Sequence, residues 1–222
     1  MKKITKAQVF TWVLALVPLI LVAIAYSYLP ACVPMHWDLG GEVGYEPKWQ
    51  LWITAGIAPL MAVLFYCIPH LDPKKRNYHK FTGAYVGFQV IMMFFLIALN
   101  GICVIEGLRP GTVNVAMAVC LVVSLIVLYI GNIMPKLRMN WYCGIKNPWT
   151  LSSEAVWTRT HRIAGRMFFA AGVIGMLGAF VPNNTVRLIL LLTPVIAAAV
   201  IPTVLSFLWY RAEQSGNRSG AQ

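Results

Sequence analysis

The sequence predicts an all-α integral membrane protein with six transmembrane helices and both termini in the cytoplasm. Three observations carry that prediction. Of 222 residues, 59% are hydrophobic and only 11% charged, whereas soluble proteins carry about 25% charge. Six apolar runs, at 8–29, 51–70, 82–105, 113–134, 163–181 and 187–209, are each close to the roughly 20 residues that cross a hydrocarbon core. The cations, finally, fall almost entirely in alternate connections between those runs. Within a bilayer the backbone must satisfy its own hydrogen bonds, which makes each run a helix.

The cations also orient the chain. Lys2, Lys3 and Lys6 precede the first run, and Lys74, Lys75, Arg76 and Lys80 follow the second. Lys136, Arg138, Lys146, Arg159, Arg162 and Arg166 lie between the fourth and fifth runs or just inside the fifth, and Arg211 and Arg218 follow the sixth. Fifteen cations thus share one side, and Lys48, Arg109 and Arg187 occupy the other. That asymmetry is the positive-inside pattern. It accounts for the net charge of +11 without a nucleic-acid partner, so none is assigned. The lipid bilayer is the partner that composition implies, and mean hydropathy of +0.70 agrees.

Taken in order, the first run begins Met-Lys-Lys as a secretory signal would, but it is as long as a full span, so it is read as a retained helix. The outer loop 30–50 follows, PACVPMHWDLGGEVGYEPKW from Pro30 to Trp49. Its prolines and glycines predict a string of turns, and Trp37, Trp49 and Trp52 suit the membrane interface. The loop 106–112 reads as a turn at Arg109-Pro110-Gly111, and 182–186 is minimal. The inner loop 135–162 holds Trp141, Trp149 and Trp157 together with Pro135 and Pro148. Pro135 ends the fourth span, and Pro148-Trp149-Thr150 starts a short helix with Thr150 or Ser152 as cap. From Ser153 to Arg166 two readings stay open: a basic amphipathic segment on the membrane surface, or a long fifth span with snorkelling arginines. The stretch 212–222 reads as a disordered cytoplasmic tail, leaving 1–211 as one six-helix membrane domain. Spans one to three and four to six run in opposite directions, each half with one long Trp/Pro/Gly loop. Two inverted three-helix halves are therefore a hypothesis.

The inner loop is similar to the C-terminal signature of the SdpI family of bacterial membrane proteins. The matching residues are Gly131-Asn132, Met134-Pro135-Lys136, Asn140, Gly144-Ile145, Pro148-Trp149-Thr150-Leu151, Trp157, Thr160-His161 and Gly165. The outer loop resembles the module often found with it, here Leu29-Pro30 followed by Pro34-x-His36-Trp37 and a nearby glycine such as Gly41. One departure is Lys146-Asn147, where the family pattern leads one to expect Arg and often Thr. The resemblance implies an inner-membrane immunity protein that protects against a secreted peptide toxin, and that also signals by holding a cytoplasmic repressor at the membrane. On that reading Pro34, His36, Trp37, Asp38 and Gly41 meet the toxin outside. Asn132, Pro135, Lys136, Asn140, Gly144, Lys146, Pro148, Trp149, Thr150, Trp157 and His161 form the inner signature and partner surface.

No enzyme is expected. There is no Gly-rich phosphate loop, HExxH or discernible nucleophile triad, and the five cysteines include no CxxC pair. His36 and Asp38 with Glu42 could form a small metal or proton site, but His-x-Asp is by itself a poor metal signature, since zinc sites use three or four protein ligands, and a loop fastened by a His36–Asp38 hydrogen bond is the simpler reading. No catalytic residue, metal or cofactor is assigned. The alternative function is a small transporter or lipid-handling protein, although no charge lies at mid-membrane as ion coupling would require. The amides Gln89 and Asn100 are expected to pair between helices.

Overall fold

The computed structural model describes residues 6–219. Its regular elements are helices apart from one short hairpin, and five of the helices are long and apolar enough to cross a membrane. This is a multi-pass, essentially all-α membrane protein. Lys2, Lys3 and residues 220–222 of the expected tail lie outside the described residues.

Chain order begins with α1 (Lys6–Ala25), β1 (Cys32–Trp37), β2 (Val43–Pro47) and α2 (Gln50–Leu71). A 3-10 segment (Lys75–Lys80) leads into α3 (Thr82–Leu108), and α4 (Val115–Ile133) ends in a 3-10 turn at Met134–Lys136. Then come α5 (Pro148–Ser152), α6 (Glu154–Gly178) and α7 (Asn184–Ser219). The outer loop is thus not a string of turns but an antiparallel hairpin. Valines and aromatics alternate in it sufficiently to pair, and Pro34 is tolerated because both strands are edges.

Residues 154–178 form one continuous helix, with no break between the basic segment and the apolar part that follows it. Its first turns carry Arg159, Arg162 and Arg166, all exposed. The apolar Phe169, Val173, Ile174 and Leu177 are exposed further along. The charges at its start explain why it is not one of the five most apolar helices. Likewise α7 continues through 212–219, the stretch read as a disordered tail, because the helix of the last span propagates past its apolar part. Thr150 does not cap α5. Asn147 does, accepting from Thr150 N at 2.8 Å, and Ser153 rather than Ser152 caps α6.

The helices pack in two groups. In the first, α1, α2 and α3 each touch the other two; in the second, α6 lies between α4 and α7. Glycines permit the second arrangement. A Cβ on Gly131 would stand 2.3 Å from the Phe169 backbone nitrogen, and one on Gly165 would stand 2.7 Å from Pro135. Small residues at such crossings let backbones approach in the absence of a hydrophobic drive between helices. Between α2 and α3, Thr54 donates to Asn100 Oδ1 at 2.9 Å.

The two ends of the bundle differ. Trp12 of α1 lies tilted against Tyr66 of α2, Asn147 bonds Ser206 of α7, and Asn77 bonds the Met139 carbonyl. These contacts gather the chain's start, the 72–81 connection, the inner loop and the end of α7 at one end, here the basic end. The hairpin, the 109–114 loop and the start of α7 meet at the other, the hairpin end.

Candidate functional site

Two places concentrate polar side chains, one at each end. At the basic end, Asn140 is fully buried. Its amide donates to the Arg138 and Cys143 carbonyls, and its oxygen accepts from Tyr142 N and Cys143 N. One side chain therefore replaces the backbone pairing that an irregular buried loop lacks. Four residues on, Gly144 has φ +109°, and a Cβ there would fall 2.2 Å from His161 Nε2. Glycine is required both by conformation and by space.

His161 takes up that space. Its Nε2 accepts from Ile145 N at 3.1 Å, which leaves Nδ1 to carry the proton and donate to the Trp157 carbonyl at 2.8 Å. Burial lowers its pKa to about 4, so the ring is neutral and spent on structure. It precedes the apolar part of α6 and stacks on Trp157 with centroids 3.9 Å apart. Trp157, 1% exposed, donates from Nε1 to the Leu137 carbonyl. Thr150, also buried, accepts from Asn147 N and donates to the Ile145 carbonyl. Burial likewise pushes the Cys143 thiol up, so it is a thiol and not a reactive thiolate.

Sequence reading missed the other half of this knot. Asp72, 2% exposed, accepts from Lys74 N, from the Tyr78 hydroxyl and from Trp141 N. It ties the 72–81 connection to the inner loop. Burial first, then Cys143 and Asp72, hold the Tyr78 phenol far above its usual range, so it stays a donor. Tyr78, Phe81, Met134, Leu137, Met139 and Trp157 form the apolar core around these bonds. Of the remaining signature residues, Pro135 packs on Gly165, Pro148 starts α5, and Trp149 meets Phe207 at 5.0 Å. Asn132, Lys136 and Lys146 are exposed.

At the hairpin end a cleft of about 340 Å³ lies between the hairpin, residues 106–116 and Asn184. Pro34, Trp37, Asp38 and Gly41 all line it, with Val43 and Tyr45. Pro34 and Trp37 are three apart, and in a regular strand they would face opposite sides. A bulge between Pro34 and His36 restores them to one face, opposite Tyr45 and Val43. His36 opposes Gly44 instead and does not line the cleft. Nor does it fasten the loop to Asp38, whose Oδ1 accepts from Glu42 N at 2.7 Å and closes the turn.

The cleft's opposite wall was not foreseen. Glu106, 5% exposed, accepts from Gly111 N and Val113 N and shapes that loop. Asn184 reaches the Leu39 carbonyl and accepts from Arg187, which caps the end of α6 through the Ala179 and Val181 carbonyls. Glu106 and Asn184 sit far along the chain from the hairpin, and nothing local in the sequence marks either as its neighbour.

Comparison with known proteins follows the same division. Residues 136–206 match the SdpI/YfhL protein family, and residues 13–58 match a domain of unknown function, DUF1648. Over 189 residues the chain is 25% identical to the immunity protein SdpI of Bacillus subtilis strain 168, covering 85% of this chain and 88% of that protein. No solved structure matches. The inner-loop half of the basic-end knot thus lies in a stretch similar to the SdpI/YfhL family and the bulged strand in one similar to DUF1648, and over most of its length this membrane protein is similar to an immunity protein.

Proposed function

We propose that this chain is a bacterial inner-membrane immunity protein that meets a secreted peptide toxin at its hairpin end. The carrying observation is the convergence of Pro34, Trp37, Asp38 and Gly41 on one cleft, in a chain similar over 85% of its length to an immunity protein. The fifteen-to-three division of cations supports a cytoplasmic basic end, with both termini there. On this reading α6 is the fifth of six crossings, its three exposed arginines standing at the inner interface.

Protection then works by binding and not by catalysis. The knot at the basic end holds the helix ends in register so that the cleft keeps its shape. The exposed Lys136, Arg138 and Lys146 around it present a cationic surface that a cytoplasmic repressor with acidic side chains would fit.

Expression in a sensitive bacterium challenged with a panel of secreted membrane-active peptides tests this. Selective survival is expected, and Trp37→Ala should abolish it at equal membrane abundance. Survival no better than an empty vector against every peptide would remove the immunity role. Full protection by Trp37→Ala would remove the cleft from it.

A further inference from the structure

An open groove of about 360 Å³ at the basic end is lined by Trp149 of α5 and by Thr203, Val204 and Phe207 of α7. It belongs to neither site described above. The Thr203 hydroxyl is spent on the Ala199 carbonyl at 2.7 Å. Its volume is in the range of ligand sites, roughly 300–1,000 Å³. Ile196, Val200, Ile201, Val204 and Leu208 are exposed along α7, and the groove is continuous with that apolar face. In a chain that spans the membrane, it opens to hydrocarbon.

One cation, Arg211, stands at its polar end, and a second, Lys146, belongs to the loop that fastens α5 to α7. Arg211 is one turn beyond Phe207 on the same helix face, its Cζ 5.6 Å from that ring. Lys146 immediately precedes Asn147, whose amide is 2.9 Å from the Ser206 hydroxyl. Lys146 is exposed and uses one donor on the Tyr142 carbonyl, which leaves two of its three ammonium protons. An indole at the rim, an apolar floor, a cation one turn above and a second on the adjoining loop are the requirements of a single amphiphile.

We infer that the groove holds an acyl chain of an anionic phospholipid whose phosphate is bound by Arg211 and Lys146. The lipid bridges α5 and α7. It thereby couples the inner-loop signature, through Trp149, to the composition of the surrounding leaflet.

The test uses the full chain in nanodiscs of phosphatidylcholine containing a small fraction of phosphatidylglycerol with brominated acyl chains. The difference between this protein and Trp149→Phe isolates the quenching of Trp149 from that of the other tryptophans. Brominated phosphatidylglycerol is expected to quench Trp149 well beyond brominated phosphatidylcholine at equal fraction. Each cation should contribute about five-fold in preference, the equivalent of about 1 kcal/mol. Arg211→Gln with Lys146→Gln should bring the two lipids level, while Ile189→Ala, at the far end of α7, should leave the preference intact. Equal quenching by both lipids would overturn the headgroup assignment. Absence of any Trp149-specific quenching, as when a second copy covers the groove, would overturn the lipid itself. None of these readouts depends on protection from a toxin.

Discussion

The basic end and the hairpin end spend similar residues in opposite ways. At the basic end Asn140, Thr150, Trp157 and His161 are sealed, and their polar atoms are consumed by backbone partners. At the hairpin end Trp37 is half-buried and Asp38 exposed, and both line open space. An eye-catching sequence motif is therefore not in itself a binding surface. The inner signature is richer in aromatics and amides because an irregular loop at a membrane face has more backbone to satisfy. The outer loop solves the same problem with a ladder and leaves its side chains available.

The largest break of that contrast is Gly144→Ala. The new methyl meets His161 Nε2, and the backbone is held at a φ that side chains avoid. Together, strain and the lost Ile145–His161 bond should cost about 3 kcal/mol or more. A lowered Tm in micelles, with poor membrane accumulation, is the expected result. An unchanged Tm would mean that the knot is not rigid.

His161 supplies the next effect through pH. An unfolded imidazole titrates near 6.5 and the buried one near 4. Between those values the unfolded chain holds the extra proton, so stability falls as pH drops through that window and levels off below it. The full loss is on the order of 3 kcal/mol. Tm measured from pH 7 to pH 4 should show that slope, and His161→Gln should flatten it relative to the parent chain. Parallel profiles for the two proteins would remove His161 from the account.

How far these features could be read in advance depends on how local their causes are. Asn140, Gly144, Trp157 and His161 were marked because unusual residues cluster within one stretch. Asp72 and Tyr78 were not, since their role exists only once the 72–81 connection meets the inner loop. The hairpin was missed because Gly40, Gly41 and Gly44 argue for turns, while its pairing depends on a bulge at Met35 that has no local signature. Hydropathy places the fifth crossing at 163–181 and leaves 153–166 open, because exposed arginines suit a surface segment as well as the start of a long helix; only the structure shows one helix from Glu154.

A smaller effect is expected at the joint between loop and bundle. Asn147 caps α5 and also reaches Ser206. Asn147→Ala should cost about 1–2 kcal/mol by loss of the cap and one further bond. Ser206→Ala should cost less, since it keeps the cap. If both variants lower Tm equally, the Asn147–Ser206 bond and not the cap is what fastens the inner loop to α7.

The smallest structural change gives the sharpest separation of the two ends. Asp38→Asn keeps an oxygen for Glu42 N and so preserves the turn, removing only the charge at the cleft. An exposed substitution of this kind should shift stability by no more than about 0.5 kcal/mol. Protection in the survival assay is nonetheless expected to fall, because Asp38 is exposed in the cleft lining. Unchanged protection would confine recognition to the apolar wall of Trp37, Val43 and Tyr45. A substantial fall in Tm would instead show that the hairpin, like the basic end, uses its polar residues to hold itself together.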